Sequence, residues 1–579
     1  MKPQFYQTAL RSRLAHMISE LLFEEVITCT HHLNNYTVEL PQATYSFKGW
    51  KTIWGMVRII PQSIRRNQSE DISPIQFMID AQHQLNISDI TLANYIEDLQ
   101  NTLYSESIYY EKLDTVSLSQ LADLTDVNLE QYLNAHPKLI ANRGRIGWGT
   151  SSLSAYSPES GKFFKLNYLA IKKSYCSYGF SENYSQLNMM EDLFDENESL
   201  FVKELLKRKS VSLENYILMP VHPWQYQHYI QPQFSALFHN KTIIDLGVLG
   251  DFYTPRISIR TLTNVSRPNK PDLKVAITII NTSCYRGIPA KYIKVGHQIS
   301  DMLKQIISSD KFLSTSGMNI LEEFAGIHCD HPYQSQIANP PYRYNEMLGA
   351  IFRTQDRSLC QENERCVLTS SLAQTDKNGK PLILEYIARS GLSVSEWILQ
   401  YANTVIVPLY HLMCKYGIAM VSHGQNISLI MKDYIPVSAI LKDFHGDLRI
   451  ADSIFDEHKH LSKDVRDTLT HLPANYLIHD LVTGHFLTLL RYVSPLLEEH
   501  AEFPETSFYQ NIKNALSAYI SNHPELAERF KLFPLFETEI LKVTSNKVWF
   551  KVGYGDTAER PLPELGTPLK NPFVGGLNV

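Results

Sequence analysis

Arg256-Ile257-Ser258-Ile259-Arg260-Thr261, followed by Lys274-Val275-Ala276-Ile277-Thr278-Ile279-Ile280, is the part of the chain on which the fold turns. The first run alternates polar and apolar residues, as a half-buried strand does. In a strand, Arg256, Ser258 and Arg260 share one face. The second run is rich in β-branched residues and opens on Lys274. Runs of the same texture at 163–166 and 217–221, broken by Pro, Gly and Asn, make residues 136–325 a largely antiparallel β-rich region. Outward from it, residues 1–135 read mainly as helix. Leu92, Tyr95, Ile96, Leu99 and Leu103 recur at helical spacing after a Ser88-Asp89 start, and Tyr45-Ser46-Phe47 and 52–60 flank Gly49 as a hairpin. Helical period returns at Ile299, Met302, Leu303 and Ile306, a Pro-containing loop is expected over about 325–345, and residues 326–579 are mostly helical. Trp397, Tyr401, Val405 and Leu409 form one stripe with a kink at Pro408, and Ile478, Leu481, Val482, His485 and Leu489 form another. The order helical, β-rich, helical is an α+β arrangement.

Composition narrows the functions. At 579 residues the chain exceeds one core, and its 44% apolar and 20% charged residues are those of a globular protein. A net charge of −6 argues against a nucleic-acid partner, so anion binding has to be local. Seven cysteines, an odd number without a CxxC pair, fit a reducing compartment. Met1-Lys2-Pro3-Gln4 opens no apolar signal core, and no run of about 18 apolar residues is present. A cytoplasmic protein without a membrane span is expected.

Two constellations carry chemistry. If the two β-runs pair, Ser258, Arg260, Lys274, Thr282, Ser283 and Arg286 can converge on one anion, since guanidinium forks and hydroxyls suit phosphate oxygens. A solvated sheet face is the other reading. No GxxxxGK[ST] or GxGxxG element occurs, so a nucleotide would be held by side chains on a sheet. The second constellation is Ala419-Met420-Val421-Ser422-His423-Gly424-Gln425-Asn426 with Asp443 beyond it. Asn and Asp oxygens are hard ligands that suit Mg²⁺ beside a phosphate, and a capped turn with a satisfied histidine is the alternative. Met219-Pro220-Val221-His222-Pro223-Trp224-Gln225 reads as a rigid turn or a site element. His328-Cys329-Asp330-His331 is spaced too tightly for zinc.

Taken together, these segments resemble the IucA/IucC family of siderophore synthetases, the NRPS-independent synthetases, from about residue 130 to the end. Ala135-His136-Pro137 with Arg143, Arg145 and Gly147 resembles the family's first motif, and Tyr156-Ser157-Pro158-Glu159 its YxPE. His222-Pro223-Trp224-Gln225 matches HPWQ, and Ser258-Ile259-Arg260-Thr261 matches SxRT. Lys274, Thr282, Ser283 and Arg286 fall at the expected offsets. His423-Gly424-Gln425-Asn426 matches HGQN, Lys442-Asp443-Phe444 resembles RDF, and Asn571-Pro572 resembles the closing NPL. Leu139-Ile140 stands where a second His-Pro is usual, Arg143 where Lys is, Val421 where Glu is, and Lys442 where Arg is.

The resemblance implies a cupped hand: a helical thumb (1–135), antiparallel β-rich fingers (136–325) that bind nucleotide, and a mostly helical palm (326–579) around a central cleft. It implies an ATP- and Mg²⁺-dependent ligase. One carboxylate of citrate, or of a citrate or succinate derivative, attacks the α-phosphate, and a diamine or polyamine then displaces AMP to form an amide. By similarity Ser258, Arg260, Thr261, Lys274, Thr282, Ser283 and Arg286 hold phosphates, and His423 contacts the α-phosphate or the attacking carboxylate. Asn426 and Asp443 hold Mg²⁺ or nucleotide, with Arg286, His423 and Lys274 central to catalysis. A homodimer is also implied. A homologue that has lost catalysis and binds only nucleotide or a partner is the alternative.

Overall fold

The computed structural model describes residues 2–282, 284–453, 455–559 and 564–574. The chain starts with α1 (Pro3–Phe23), followed by a small antiparallel sheet that includes β1 (Asn35–Glu39) and β2 (Thr44–Lys51). Helix α2 (Asp89–Leu113) begins where the sequence places it, with the Ser88 hydroxyl accepting from the Thr91 amide at 3.1 Å. The hairpin expected around Gly49 is shifted. Gly49 lies inside β2, because a Cβ there would sit 2.5 Å from the Arg58 carbonyl oxygen, and the chain turns after β2 instead. The close approach of the neighbouring strand, not a turn, requires this glycine.

The middle of the chain builds one eight-stranded antiparallel sheet. Its strands are β3 (Phe164–Lys172), β4 (Cys176–Phe180), β5 (Tyr216–Val221), β6 (Ile243–Pro255), β7 (Thr261–Asn264), β8 (Asp272–Val275) and two that follow a separate hairpin. That hairpin is β9 (Ile277–Asn281) with β10 (Cys284–Arg286). The last two sheet strands are β11 (Glu323–Cys329) and β12 (Gly349–Arg353), and the spatial order is β4-β11-β12-β8-β7-β6-β3-β5. The sheet therefore draws strands from both sides of residue 325, and β11 occupies the start of the expected 325–345 loop. Its apolar face, with Leu169, Ile171, Ile217 and Met219, is covered by Met189, Leu193, Val202 and Leu206.

Two expectations about the opening stretch are corrected. Residues 256–260 form a turn, not a strand, and β7 starts at Thr261. Ile259 has φ 64°, its amide bonds to the Arg256 carbonyl, and the Ser258 hydroxyl accepts from the Thr261 amide at 3.3 Å. A turn satisfied by its own hydroxyl competes with the ladder. The run 274–280 is two strands of different sheets, divided at Ala276, whose amide bonds to Gly349.

Among the described residues, the remainder is helical around three further sheets of four, three and two strands. β13 (Glu364–Leu368) precedes the stripe helices α3 (Val394–Tyr401) and α4 (Val407–Tyr416), which a wide π-turn, Ala402–Ile406, joins just before Pro408. Then come β14 (Ile418–Met420), β15 (Ile427–Lys432), β16 (Ile435–Leu441) and β17 (Leu448–Ala451). The second stripe also contains a π-helical segment, Val482–Leu490. The architecture is α+β, a cupped hand with the antiparallel sheet as fingers. Among the described residues no helix is long and apolar enough to cross a membrane.

Candidate active site

Strand pairing assembles the palm side of the site. β14 pairs with β17, Met420 opposite Leu448, while β15 pairs with β16, Ile427 opposite Leu441. The connections 421–426 and 442–447 must therefore run side by side. The Val421 amide donates to the Asp447 carbonyl at 2.9 Å, and the Lys442 amide to the Asn426 carbonyl at 3.1 Å. The segment containing His423 and the one containing Asp443 become one double-walled turn. Gly424 fits because a Cβ there would lie 2.9 Å from the Ser370 backbone, whose amide donates to the Gly424 carbonyl.

Asp443 binds this turn to the fingers. Its Oδ1 accepts from Lys274 Nζ and from an Arg353 guanidinium nitrogen, each at 2.9 Å. Burial alone would raise its carboxyl, but the two cations outweigh it and hold the group far below the ordinary carboxylate range. Lys274 reaches this point because β8 lies between β7 and β12, facing Thr261 on one side and Ile351 on the other.

The 256–260 turn separates residues expected on one face. Arg256 is buried and bound by Asp126, Glu130 and Asp356, so it braces the thumb-to-fingers junction. Arg260 donates to the Gly287 carbonyl. Arg286, at the end of β10, donates to the Asn281 carbonyl at 2.5 Å and to the Thr282 hydroxyl. Thr282, whose hydroxyl accepts that bond, has φ 65°. Ser283 lies outside the described residues.

His423 and His136 meet edge to face, ring centroids 5.8 Å apart. Burial pushes both imidazoles below their ordinary value. Asp447 and Asp443 oppose the shift at His423, whereas His423 and Lys138 deepen it at His136. The Gln425 amide donates to His423 Nδ1 at 3.2 Å, so the ring is a neutral acceptor there.

The donor set fits a polyphosphate. Among the described residues, Thr261 Oγ1, Arg286 Nε and Arg353 Nε are buried without a partner, donors of a kind that buried sites normally satisfy. The set also fits Mg²⁺ held beside phosphate. Asn426 Nδ2 is engaged by the Val421 carbonyl at 2.9 Å and Asp447 Oδ2 at 3.0 Å, which turns its amide oxygen the other way. That oxygen and the second oxygen of Asp443 are two hard donors, as many as Mg²⁺ takes from protein when phosphate and water complete its shell. No group of three or more His, Cys, Asp or Glu with metal-binding geometry occurs among the described residues.

Other motif residues are structural. Arg145 binds Glu159 through both guanidinium NH groups at 2.6 and 3.0 Å, and the Arg143–Glu159 pair lies at 3.5 Å, so the first motif clamps the second. The Gln225 side chain bridges Thr278 and the Met347 carbonyl, locking β9 in place. Asn571 donates to the Leu535 and Glu537 carbonyls. His328 bonds to the Asn345 carbonyl at 2.7 Å, and the His331 ring accepts from the Tyr333 and Gln334 amides. Sequence reasoning missed three members of the site. Arg353 merely ends an apolar run. Asp447 sits four residues past Asp443 with no motif of its own. His136 was visible only as part of a motif and not as a neighbour of His423.

A model described as the IucA / IucC family matches residues 125–374, and one described as a ferric iron reductase FhuF-like transporter matches residues 395–559. The chain is 38% identical to an aerobactin synthase of Escherichia coli over 97% of each chain. It is 25% identical to a citryl-spermidine/3,4-dihydroxybenzoyl-citryl-spermidine:spermidine ligase of Bacillus anthracis over 92% of this chain and 89% of that one. Its structure is similar to that of aerobactin synthetase IucC from a hypervirulent pathotype of Klebsiella pneumoniae, with a TM-score of 0.89, 35% identity and 99% of both chains covered. ATP-bound aerobactin synthetase IucA from the same source shares the fold, with a TM-score of 0.76 at 16% identity over 97% of this chain and 99% of that one.

Proposed function

The chain belongs to the IucA/IucC family, and from that premise we propose that it is an ATP-dependent siderophore synthetase. It adenylates a carboxylate of citrate, or of a citrate or succinate derivative, and condenses it with a diamine or polyamine, releasing AMP and pyrophosphate. It acts in the cytoplasm as a homodimer. The relatives' names supply the classes of reactant, a citryl group and spermidine in one of them, and a protein of the same fold has been solved with ATP. The observation that carries the reading is the junction of Lys274, Arg353 and Asp443, with Asp443 and Arg286 both within the field of His423.

Each side chain has a physical task. Lys274, Arg353, Arg286 and Arg260 place positive charge where a pentacovalent phosphorus gathers negative charge, and preplaced charge lowers the barrier without reorganisation. The hydroxyls of Ser258, Thr261, Thr282 and Ser283 add donors to the phosphates. His423, neutral, lies within the same turn as Asn426 and orients the attacking carboxylate or the α-phosphate. Asn426 and Asp443 would hold Mg²⁺, which when bound neutralises phosphate charge.

The test is hydroxamate formation and pyrophosphate release with ATP, Mg²⁺, hydroxylamine and a panel of di- and tricarboxylates. Turnover with a citrate-like acid is expected, and Arg286→Ala should bring it to background. Silence with every acid would leave a homologue that binds without catalysis.

A further inference from the structure

The site as described is cationic, which suits a triphosphate and a tricarboxylate but not the other reactant. An aliphatic amine arrives as an ammonium ion and needs negative charge near the point of attack. Asp447 supplies it. Its Oδ2 accepts from Asn426 Nδ2 at 3.0 Å, and its backbone carbonyl accepts from Val421, two residues before His423. The carboxylate is partly exposed, and among the described residues it makes no ion pair, whereas Asp443 next along the same connection holds two cations.

A second observation points the same way. Asp480 lies near Asp447, 97% buried, with Oδ1 on Arg449 at 2.6 Å and Oδ2 buried without a partner among the described residues. Its backbone carbonyl is bound by the Ser422 amide at 3.0 Å and the Ser422 hydroxyl at 2.7 Å, so it is fixed to the same turn. Burial pushes the Asp480 carboxyl up to about 7, Arg449 opposes this and Asp447 adds to it, which places the two carboxyls within each other's field. Here a second carboxyl, one oxygen of which lacks a donor among the described residues, backs the partly exposed one. A cation at Asp447 would relieve that repulsion.

We propose that Asp447, backed by Asp480, is the subsite that binds the ammonium group of the amine substrate beside His423. The proposal rests on the ligase reading and names its second substrate site.

The experiment compares two nucleophiles in wild type and in Asp447→Asn, which keeps an acceptor for Asn426. Spermidine is cationic, and hydroxylamine is uncharged at neutral pH. The expected result is that Asp447→Asn lowers kcat/KM for spermidine roughly 10- to 100-fold relative to hydroxylamine, the scale of one charge-assisted hydrogen bond. Equal losses with both nucleophiles, or no loss with either, would overturn the subsite. If wild type forms no hydroxamate with any acid, the ligase reading fails instead. Calorimetric titration of spermidine then decides the subsite by itself: roughly ten-fold weaker binding to the variant supports it and equal binding refutes it.

Discussion

Asp443 shows how single residues in this protein divide between structure and chemistry. Two cations converge on one of its oxygens in a buried setting. Removing the carboxylate would leave Lys274 and Arg353 uncompensated, so loss of function in an Asp443 variant mixes catalysis with stability. Asp98 is a cleaner probe of buried charge. It is buried in α2, takes a 2.8 Å hydrogen bond from the Tyr554 hydroxyl, and lies so close to Gly144 that a Cβ there would overlap it. Burial pushes its carboxyl up to about 7. A raised folded-state value favours folding below the ordinary carboxylate range, and that advantage is lost as pH rises through about 7. Asp98→Asn, which retains an acceptor for Tyr554, should therefore be more stable than wild type above pH 8 by about 2–4 kcal/mol, with the gap narrowing toward pH 5. Denaturant unfolding at the two pH values checks this, and a gap that widens on acidification would refute it. At this scale the sequence was partly legible. Lys274, His423 and Asp443 carry motif spacing, whereas Arg353 and Asp447 gain meaning only from strand register.

The elements explain why register was the missing information. Connections 421–426 and 442–447 meet because β14 pairs with β17 and β15 with β16, and no local pattern encodes that exchange. The alternation in 256–261 fits a strand and a turn equally well, and the Ser258 hydroxyl and the left-handed Ile259 decided for the turn. The π-helical segment Val482–Leu490 acts on the site in a similar non-local way. A Cβ on Gly484 would lie 2.8 Å from the Ser422 amide nitrogen, and His485 Nδ1 is 2.9 Å from the Ser422 carbonyl oxygen. A carbonyl can only accept, so His485 donates through Nδ1 and its Nε2 accepts from the Tyr401 hydroxyl at 2.9 Å. Burial holds this ring down at about 4, hence neutral. The segment thus fixes the backbone immediately before His423. His485→Leu should lower kcat for hydroxamate formation roughly ten-fold or more, leaving an orphaned carbonyl. His485→Asn, whose amide can donate from nearly the same point, should recover most of it. Steady-state kinetics of both variants test this, and equal losses would reduce His485 to packing.

The whole molecule closes around this junction from its two ends. Glu20 of α1 binds the buried Arg491 at 2.9 and 3.0 Å, and Glu24 accepts from the backbone amides of Ser545, Asn546 and Lys547. Arg13, also on α1, supports the loop that carries His136 by donating to the Ile140 carbonyl at 2.8 Å. The order helical, β-rich, helical was legible from periodicity, since long stripes and short β-branched runs survive in any context. The small sheets among the later helices were not, because strands as short as Ile418–Met420 and Leu448–Ala451 carry too few residues to show a period. What this assembly is for rests on carboxylate attack at the α-phosphate, and one measurement reads that step. Citrate, or whichever acid the panel selects, labelled with ¹⁸O in its carboxylates, is turned over with ATP and an amine, and the nucleotide and phosphate products are analysed by mass spectrometry. Attack at the α-phosphate followed by displacement leaves one ¹⁸O in AMP and none in pyrophosphate; ¹⁸O in inorganic phosphate with ADP as the nucleotide product would contradict the proposed adenylation.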